Sequence, residues 1–285
     1  MDCPVDQDYA AESVRFDVEY RRLLDAIRAR YHYDFRDYAP ASLRRRLKGA
    51  LRSLDCASLA QLEERSMREP AVFAALLDHL TIQVSEMFRD PGFFRALRVK
   101  VVPLLRTWPS LKVWVAGCAA GEEAYSIAIL LREEGLLDRT LIYATDINPR
   151  CLAEAQRGIY PIGQMAAYTR SYLEAGGCRS LSDYYTAAYG GALLDRSLRE
   201  HILFCDHSLA TDSVFAEVHL VSCRNVLIYF NRELQDRALG LFRESLCRRG
   251  FLGLGAKESL RFTSQASAFA PLARPERIFQ LRSTA

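Results

Sequence analysis

The 285-residue chain is 50% hydrophobic and 26% charged, an ordinary globular composition, and its formal net charge of only +3 means that the chain as a whole is not a polyanion binder. No apolar run approaches the ~20 residues that cross a bilayer. The acidic start Met1-Asp-Cys-Pro-Val lacks the basic and apolar regions of a secretory signal, so a cytoplasmic location is expected.

Residues from about Phe16 to Val84 read as helices only. Val18–Tyr31 is amphipathic, an Arg-rich helix follows Pro40, and Val72–Leu80 is a third apolar segment. The Arg-rich helix carries Arg44, Arg45, Arg46, Lys48 and Arg52, with Leu43, Leu47 and Leu51 as its buried stripe. It is either a binding face or a solvated surface. Asp90-Pro91 marks a new start, an N-cap followed by proline in the first turn, and the helix it opens runs toward Leu105.

From Leu111 strands and helices alternate. Leu111–Ala116 is a strand and Glu122–Glu134 its helix, closed by Gly135. Leu141–Thr145 is a second strand, and Asn148-Pro149 caps a helix ending before Gly158. His219–Ser222 is a later strand, followed by Asn231 as the cap of a helix reaching Gly250. Phe251–Gly255 and Ile278–Leu281 complete the strands. Such alternation predicts a parallel-type sheet covered on both faces. Tyr160–Phe204, rich in Tyr and Gly, does not fit and is too long for an ordinary loop, which predicts a small inserted subdomain. The expected organisation is a helical domain with linker over residues 1–90 and an α/β domain over 91–285, with the insertion at about 160–204.

Eight cysteines are scattered without a C-x-x-C pair and five histidines show no ligand spacing, so neither a disulfide framework nor a metal site is indicated. The chemistry concentrates at Val113-Trp-Val-Ala-Gly-Cys-Ala-Ala-Gly-Glu-Glu-Ala-Tyr-Ser126, a strand, a small-residue turn containing Gly117, and a helix opening with Glu122 and Glu123. A glycine turn lets a nucleotide approach the backbone, but a dinucleotide site presents its helix N-terminus to a pyrophosphate. Two acids there would repel phosphate and favour a cationic nucleoside, for which S-adenosylmethionine is the candidate. Asp146 at the tip of the next strand can accept two hydrogen bonds from a ribose diol. Arg224 and Asn225 follow the strand ending at Ser222, where open sheets place ligands. The chain has no Pro-Pro, which removes the Asn/Asp-Pro-Pro-aromatic motif frequent in nucleic-acid amino-methyltransferases.

Five segments in this order carry a resemblance: the Arg-rich helix, Thr81-Ile-Gln-Val-Ser-Glu-Met-Phe-Arg-Asp90, Trp114–Ser126, Tyr143-Ala-Thr-Asp-Ile-Asn148 and Cys223-Arg-Asn-Val-Leu-Ile-Tyr-Phe230. Over nearly its whole length the chain resembles the CheR methyltransferases, which esterify glutamate side chains of bacterial chemoreceptors using S-adenosylmethionine and release S-adenosylhomocysteine. The resemblance implies a Rossmann-like class I methyltransferase sheet with an N-terminal all-helical domain. It implies that Gln83, Ser85 and Arg89 reach the methionine and ribose side of the cofactor, Glu122 the ammonium and Asp146 the ribose. Ser208 and Leu209 match an Asn-Leu pair near the adenine, and Arg224 and Asn225 complete the pocket. Gln83 and Ser85 stand where Asn and Thr are frequent, and Ser208 loses an amide donor. Arg44, Arg45, Arg46 and Lys48 would meet the acidic helical region of a receptor, recruiting a cytoplasmic monomer to receptor arrays.

A glutamate carboxylate, with a pKa near ~4.3, is ionised at neutral pH, so methyl transfer to it needs no general base. Catalysis then rests on proximity and orientation. Arg89 could position the cofactor carboxylate or the incoming glutamate, and Tyr229 could hydrogen-bond the acceptor or serve as a packing residue. A nucleic-acid or small-molecule methyltransferase and a non-catalytic cofactor sensor are the alternatives. The Cys223–Phe230 run and the missing Pro-Pro oppose the first. Retention of Glu122, Asp146, Arg89 and Tyr229 opposes the second.

Overall fold

A computed structural model describes residues 4–282, with side chains from Arg15 onward; the Met1–Cys3 start lies outside the described residues. The chain divides into two compact units, Met1–Ile82 with Tyr229–Leu234, and Gln83–Ile228 with Gln235–Ala285. The division falls earlier than residue 90, because the segment from Gln83 packs with the α/β unit.

The smaller unit is built from α1 (Pro4–Tyr31), α2 (Pro40–Ser53), α3 (Leu59–Arg68) and α4 (Pro70–Leu80). Proline opens α2 and α4, where a missing N–H costs nothing, and the Ser58 hydroxyl caps α3 by accepting from the Gln61 N–H. Their apolar faces bury Leu23, Ile27, Leu43, Leu47, Leu62, Leu76 and Leu80. The returning strap 229–234 completes this core, with the Phe230 ring 4.9 Å from that of Tyr38 and the Asn231 N–H donating to the Asp37 carbonyl at 2.8 Å.

In the larger unit, α5 (Pro91–Ala96), a π-helical turn (Leu97–Val101) and α6 (Val102–Leu105) lead to β1 (Leu111–Ala116), α7 (Glu122–Glu133), β2 (Thr140–Asp146) and α8 (Pro149–Arg157). The insertion carries β3 (Ile159–Pro161), α9 (Met165–Glu174), β4 (Tyr185–Ala188) and β5 (Gly191–Leu194), and is followed by α10 (Arg196–Arg199), β6 (Ile202–Asp206), β7 (Val218–Cys223), α11 (Arg232–Ser245), β8 (Leu246–Leu254), β9 (Phe269–Ala273) and β10 (Ile278–Leu281). The main sheet has the order β6-β2-β1-β7-β8-β10-β9. Its first five strands are parallel, and β10 and β9 close it antiparallel. Val113, Val115, Ile127, Ile142 and Phe251 are buried in its core, as the Rossmann-like expectation requires.

Several local expectations are corrected. Asp90 does not cap α5 with its side chain; it sits at φ 55° and its carboxylate pairs with Arg224. The helix capped by Asn231, whose Oδ1 accepts from the Leu234 N–H at 2.9 Å, ends at Ser245, and residues 246–250 belong to β8. Those residues form a bulge: Leu246 pairs with Val218 and Phe251 with Leu220, and the slack is taken up by Arg249 at φ 61°. The sequence reading placed no strand at β9, where Pro271 interrupts the pattern; β9 is an edge strand, which tolerates the missing N–H. The inserted sheet has the order β3-β5-β4, so the insertion ends before β6, which joins the main sheet beside β2.

The Tyr content of the insertion has a structural cause. Tyr172 and Tyr184 donate their hydroxyls to Glu133 at the end of α7, which also pairs with Arg98. This buried carboxylate ties α9 to the sheet-covering helix.

Candidate cofactor site

After β1 the chain must reverse sharply into α7. Gly117 adopts φ 70° and donates its N–H to the Thr145 carbonyl at 2.8 Å, and Cys118 donates to the same oxygen at 2.9 Å. Gly121 adopts φ 93° just before the helix. Neither site admits a side chain: a Cβ on Gly117 would lie 2.4 Å from Val226 Cγ2, and one on Gly121 2.9 Å from Ala155 Cβ.

Glu122 opens α7 almost completely buried, at 6% exposure. Its Oε2 has no hydrogen-bond partner among the described residues, while Ser85 bonds the carboxylate from the segment before α5. Burial pushes its carboxyl up to about 7. A buried carboxylate oxygen without a partner is costly, and a cation compensates it. Tyr160 closes the same turn by donating to the Ala120 carbonyl at 2.7 Å.

Asp146 ends β2. Its Oδ2 accepts from the Ala119 N–H at 2.9 Å and its Oδ1 from the Asn148 N–H at 3.0 Å, so it clamps the glycine turn and its own following turn together. Burial raises its carboxyl, with the backbone N–H groups pulling the other way. Each oxygen keeps acceptor capacity for a diol. Asp206 ends the neighbouring β6 in register with Asp146. The next residues form a tight loop: the Ser208 N–H donates to Asp212 at 2.9 Å, its hydroxyl accepts from the Ala210 N–H at 3.3 Å, and Leu209 is buried.

The segment 83–90 is held at Phe88, φ 54°, whose N–H donates to the Ser126 hydroxyl at 2.9 Å; that hydroxyl donates onward to the Glu122 carbonyl at 2.7 Å. Ser85 is thereby brought to Glu122. Gln83 is half-buried on the same segment. Arg89 is half-buried and donates to the Val84 carbonyl at 3.4 Å.

Arg224 does not turn its guanidinium to the glycine turn. It donates to Glu123 at 2.9 Å, to Asp90 at 2.8 Å and to the Arg89 carbonyl at 2.7 Å, over the Phe93 ring at 4.2 Å. Its guanidinium is an internal strut between α7 and the segment carrying Arg89. Asn225 stands at φ 61° and its N–H donates to Glu258 at 3.1 Å. Sequence reading missed Glu258. The only signal was an acid shortly after a strand's C-terminal end, in Gly255-Ala-Lys-Glu258.

Tyr229 belongs to the smaller unit, and Arg89 to the larger. The Tyr229 ring lies 5.5 Å from the Arg46 guanidinium, and its carbonyl accepts from the Ala39 N–H at 2.7 Å. Arg46 is therefore removed from the expected exposed set: it turns inward to the Leu80 carbonyl and the Ser42 hydroxyl. Arg44 is half-buried and pairs with Asp17 at 2.9 Å. Arg45 and Lys48 are exposed and, with Arg44 and Arg52, border an open depression on α2.

Comparison with known proteins decides the family. The model described as "CheR methyltransferase, SAM binding domain" matches residues 83–275, and "CheR methyltransferase, all-alpha domain" matches 18–81. This chain belongs to the CheR methyltransferase family. Among CheR-like relatives, Cher3 of Pseudomonas putida, a protein named as a methyltransferase, is 61% identical over 264 residues, covering 93% of this chain and 97% of its own. A chemotaxis protein methyltransferase of Listeria monocytogenes is 34% identical over 198 residues, 66% of this chain and 71% of that one. An uncharacterised 104.1 kDa protein of Rhodobacter capsulatus is 31% identical over 267 residues; the match covers 91% of this chain and 27% of that protein. The cofactor of this CheR-family chain is S-adenosylmethionine, and the turn fits it: unpaired Glu122 Oε2 suits an ammonium, Asp146 a ribose diol. Among the described residues no helix is long and apolar enough to cross a membrane.

Proposed function

We propose that this chain transfers a methyl group from S-adenosylmethionine to glutamate side-chain carboxylates of chemoreceptors, forming methyl esters. The observation that carries the cofactor half is the buried, unpartnered Oε2 of Glu122 at the mouth of a glycine turn. The family match supports the acceptor class. Glu122 and Ser85 would hold the ammonium end and Asp146 the ribose, with Ser208 and Leu209 beside the adenine. The cofactor, when bound, supplies a methyl group activated by a sulfonium. The protein's own part is to hold the acceptor carboxylate in line and exclude water; no proton need be removed from an ionised glutamate. Arg89 is assigned to orient a carboxylate and Tyr229 to hydrogen-bond the acceptor. Exposed Arg45, Lys48 and Arg52 offer positive charge to an acidic helical partner.

The test is incubation with methyl-labelled S-adenosylmethionine and receptor cytoplasmic fragments. Label released by mild base, as methanol from a glutamate ester, supports the assignment. Base-stable label on protein, or label on nucleic acid only, overturns it.

A further inference from the structure

Glu258 lies outside the residues assigned to cofactor or acceptor, yet it is among the most completely engaged side chains in the larger unit. It is 4% exposed. Its Oε2 accepts from the N–H groups of Gly255 at 2.6 Å and Asn225 at 3.1 Å, and its Oε1 from those of Val226 and Leu227, both at 2.8 Å. Four donors fill the ordinary acceptor capacity of a carboxylate. Three of them are consecutive residues, so one side chain grips the whole backbone of the loop leaving β7. The grip dictates its surroundings: a Cβ on Gly255 would lie 2.7 Å from Glu258 Oε2, and Asn225 takes its left-handed conformation where the loop bends to present its N–H groups.

The gripped loop has one further contact that matters. Val226, whose N–H is held at the centre of the grip, presses its methyls against Gly117, the first residue of the cofactor turn; they occupy the place a Gly117 side chain would take. A tight core transmits such a contact with little slack. The turn is fixed on its other side by the Thr145 carbonyl and on the Ala119 N–H by Asp146.

We propose that Glu258 is a positioning residue for S-adenosylmethionine binding, acting through Val226 on the Gly117 turn. It touches neither cofactor nor acceptor. Its carboxylate fixes the 225–227 loop at the depth that lets Val226 buttress the turn, which holds the turn's backbone in its ligand-receiving shape. The proposal rests on the cofactor being S-adenosylmethionine and is independent of which carboxylate is methylated.

The experiment uses the full chain and S-adenosylhomocysteine as probe, with affinity measured by calorimetry at a temperature where circular dichroism shows each variant folded. Glu258→Gln keeps the size but presents an amide NH2 to backbone donors, and should weaken binding at least tenfold. Val226→Ala leaves all four backbone bonds available and should weaken binding by a similar factor. The double variant should be no worse than about threefold beyond the weaker single, because the two act on one path. Should Glu258→Gln not fold, Val226→Ala alone decides: native affinity there overturns the proposal. Native affinity in a folded Glu258→Gln, or strictly additive losses in the double variant, also overturns it. If the acceptor assignment fails instead, the binding results stand unaffected.

Discussion

Glu122 and Glu123 are neighbours in the first turn of α7, yet their carboxylates meet opposite fates. Glu123 has one oxygen bonded by the Ser222 hydroxyl at 2.6 Å and the other by Arg224 at 2.9 Å, whereas Glu122 leaves Oε2 without a partner. One acid is structural and neutralised; the other keeps a buried oxygen uncompensated by any described residue.

A pH dependence follows for Glu122. Its folded carboxyl is raised to about 7 by burial, so it binds a proton more readily folded than unfolded. That contribution to stability is fully present below the unfolded value, is lost as pH rises through about 7, and amounts to at most about 3 kcal/mol. Without cofactor, Glu122→Gln should therefore raise the melting temperature at pH 8 relative to the parent protein and change it little near pH 4. S-adenosylhomocysteine affinity should rise with pH across this range in the parent and lose the rise in Glu122→Gln, which should also bind more weakly by roughly 1.5–3 kcal/mol. Calorimetry at pH 6, 7 and 8 checks both.

The Glu123–Arg224 pair predicts a different phenotype. The Arg224 side chain is 1% exposed and that of Glu123 13%. Arg224→Met would leave Glu123 and Asp90 without their cation and should cost about 3–5 kcal/mol. Chemical denaturation should show the loss in midpoint. Wild-type stability in this variant would remove Arg224 from the role of strut.

Arg45 and Arg46 are consecutive and should respond oppositely. Arg45→Ala and Lys48→Ala, both on the exposed face, should raise the KM for a receptor fragment and flatten its salt dependence while leaving melting unchanged. Arg46→Ala removes bonds to Leu80 and Ser42 and the contact with the Tyr229 ring, so it should lower the melting temperature. Equal behaviour of the two variants would return α2 to an ordinary solvated helix.

Methyl transfer to an ionised carboxylate should show no ascending limb of kcat between pH 6 and 8 at saturating S-adenosylmethionine. The rise expected from Glu122 then appears only in kcat/KM for the cofactor. Arg89→Ala should lose most activity. Tyr229→Phe should fold normally with reduced kcat; full kcat would mark Tyr229 as a packing residue.

Some of this was legible because local spacing carries it. The Gly117 turn, the acids after it and Asp146 at the next strand tip lie within one βαβ unit, so sequence distance fixes spatial relation. The Asn231 cap was legible for the same reason. Arg224 misled, because position at a strand's end says where a backbone emerges and not where a long side chain turns. Glu258 was invisible: three of its four donors are backbone N–H groups more than thirty residues upstream, which carry no side-chain signature. β9 was hidden by Pro271, and Arg46 by sitting on a helix whose Arg45 and Arg52 do face solvent.

The strap 229–234 gives the helical unit a timetable. During synthesis its four helices leave the ribosome long before the residues that complete it, since Phe230 and Asn231 follow nearly all of the α/β unit's parallel strands. Domains generally fold as units in order of emergence. Here the first-made unit must wait, without the Phe230 ring beside Tyr38 or the Asn231 N–H on the Asp37 carbonyl, until chain from far downstream threads back. A fragment ending at residue 82 would be an unfinished object, and a graft of this helical unit onto another enzyme would have to bring its six-residue closing piece from elsewhere in the chain.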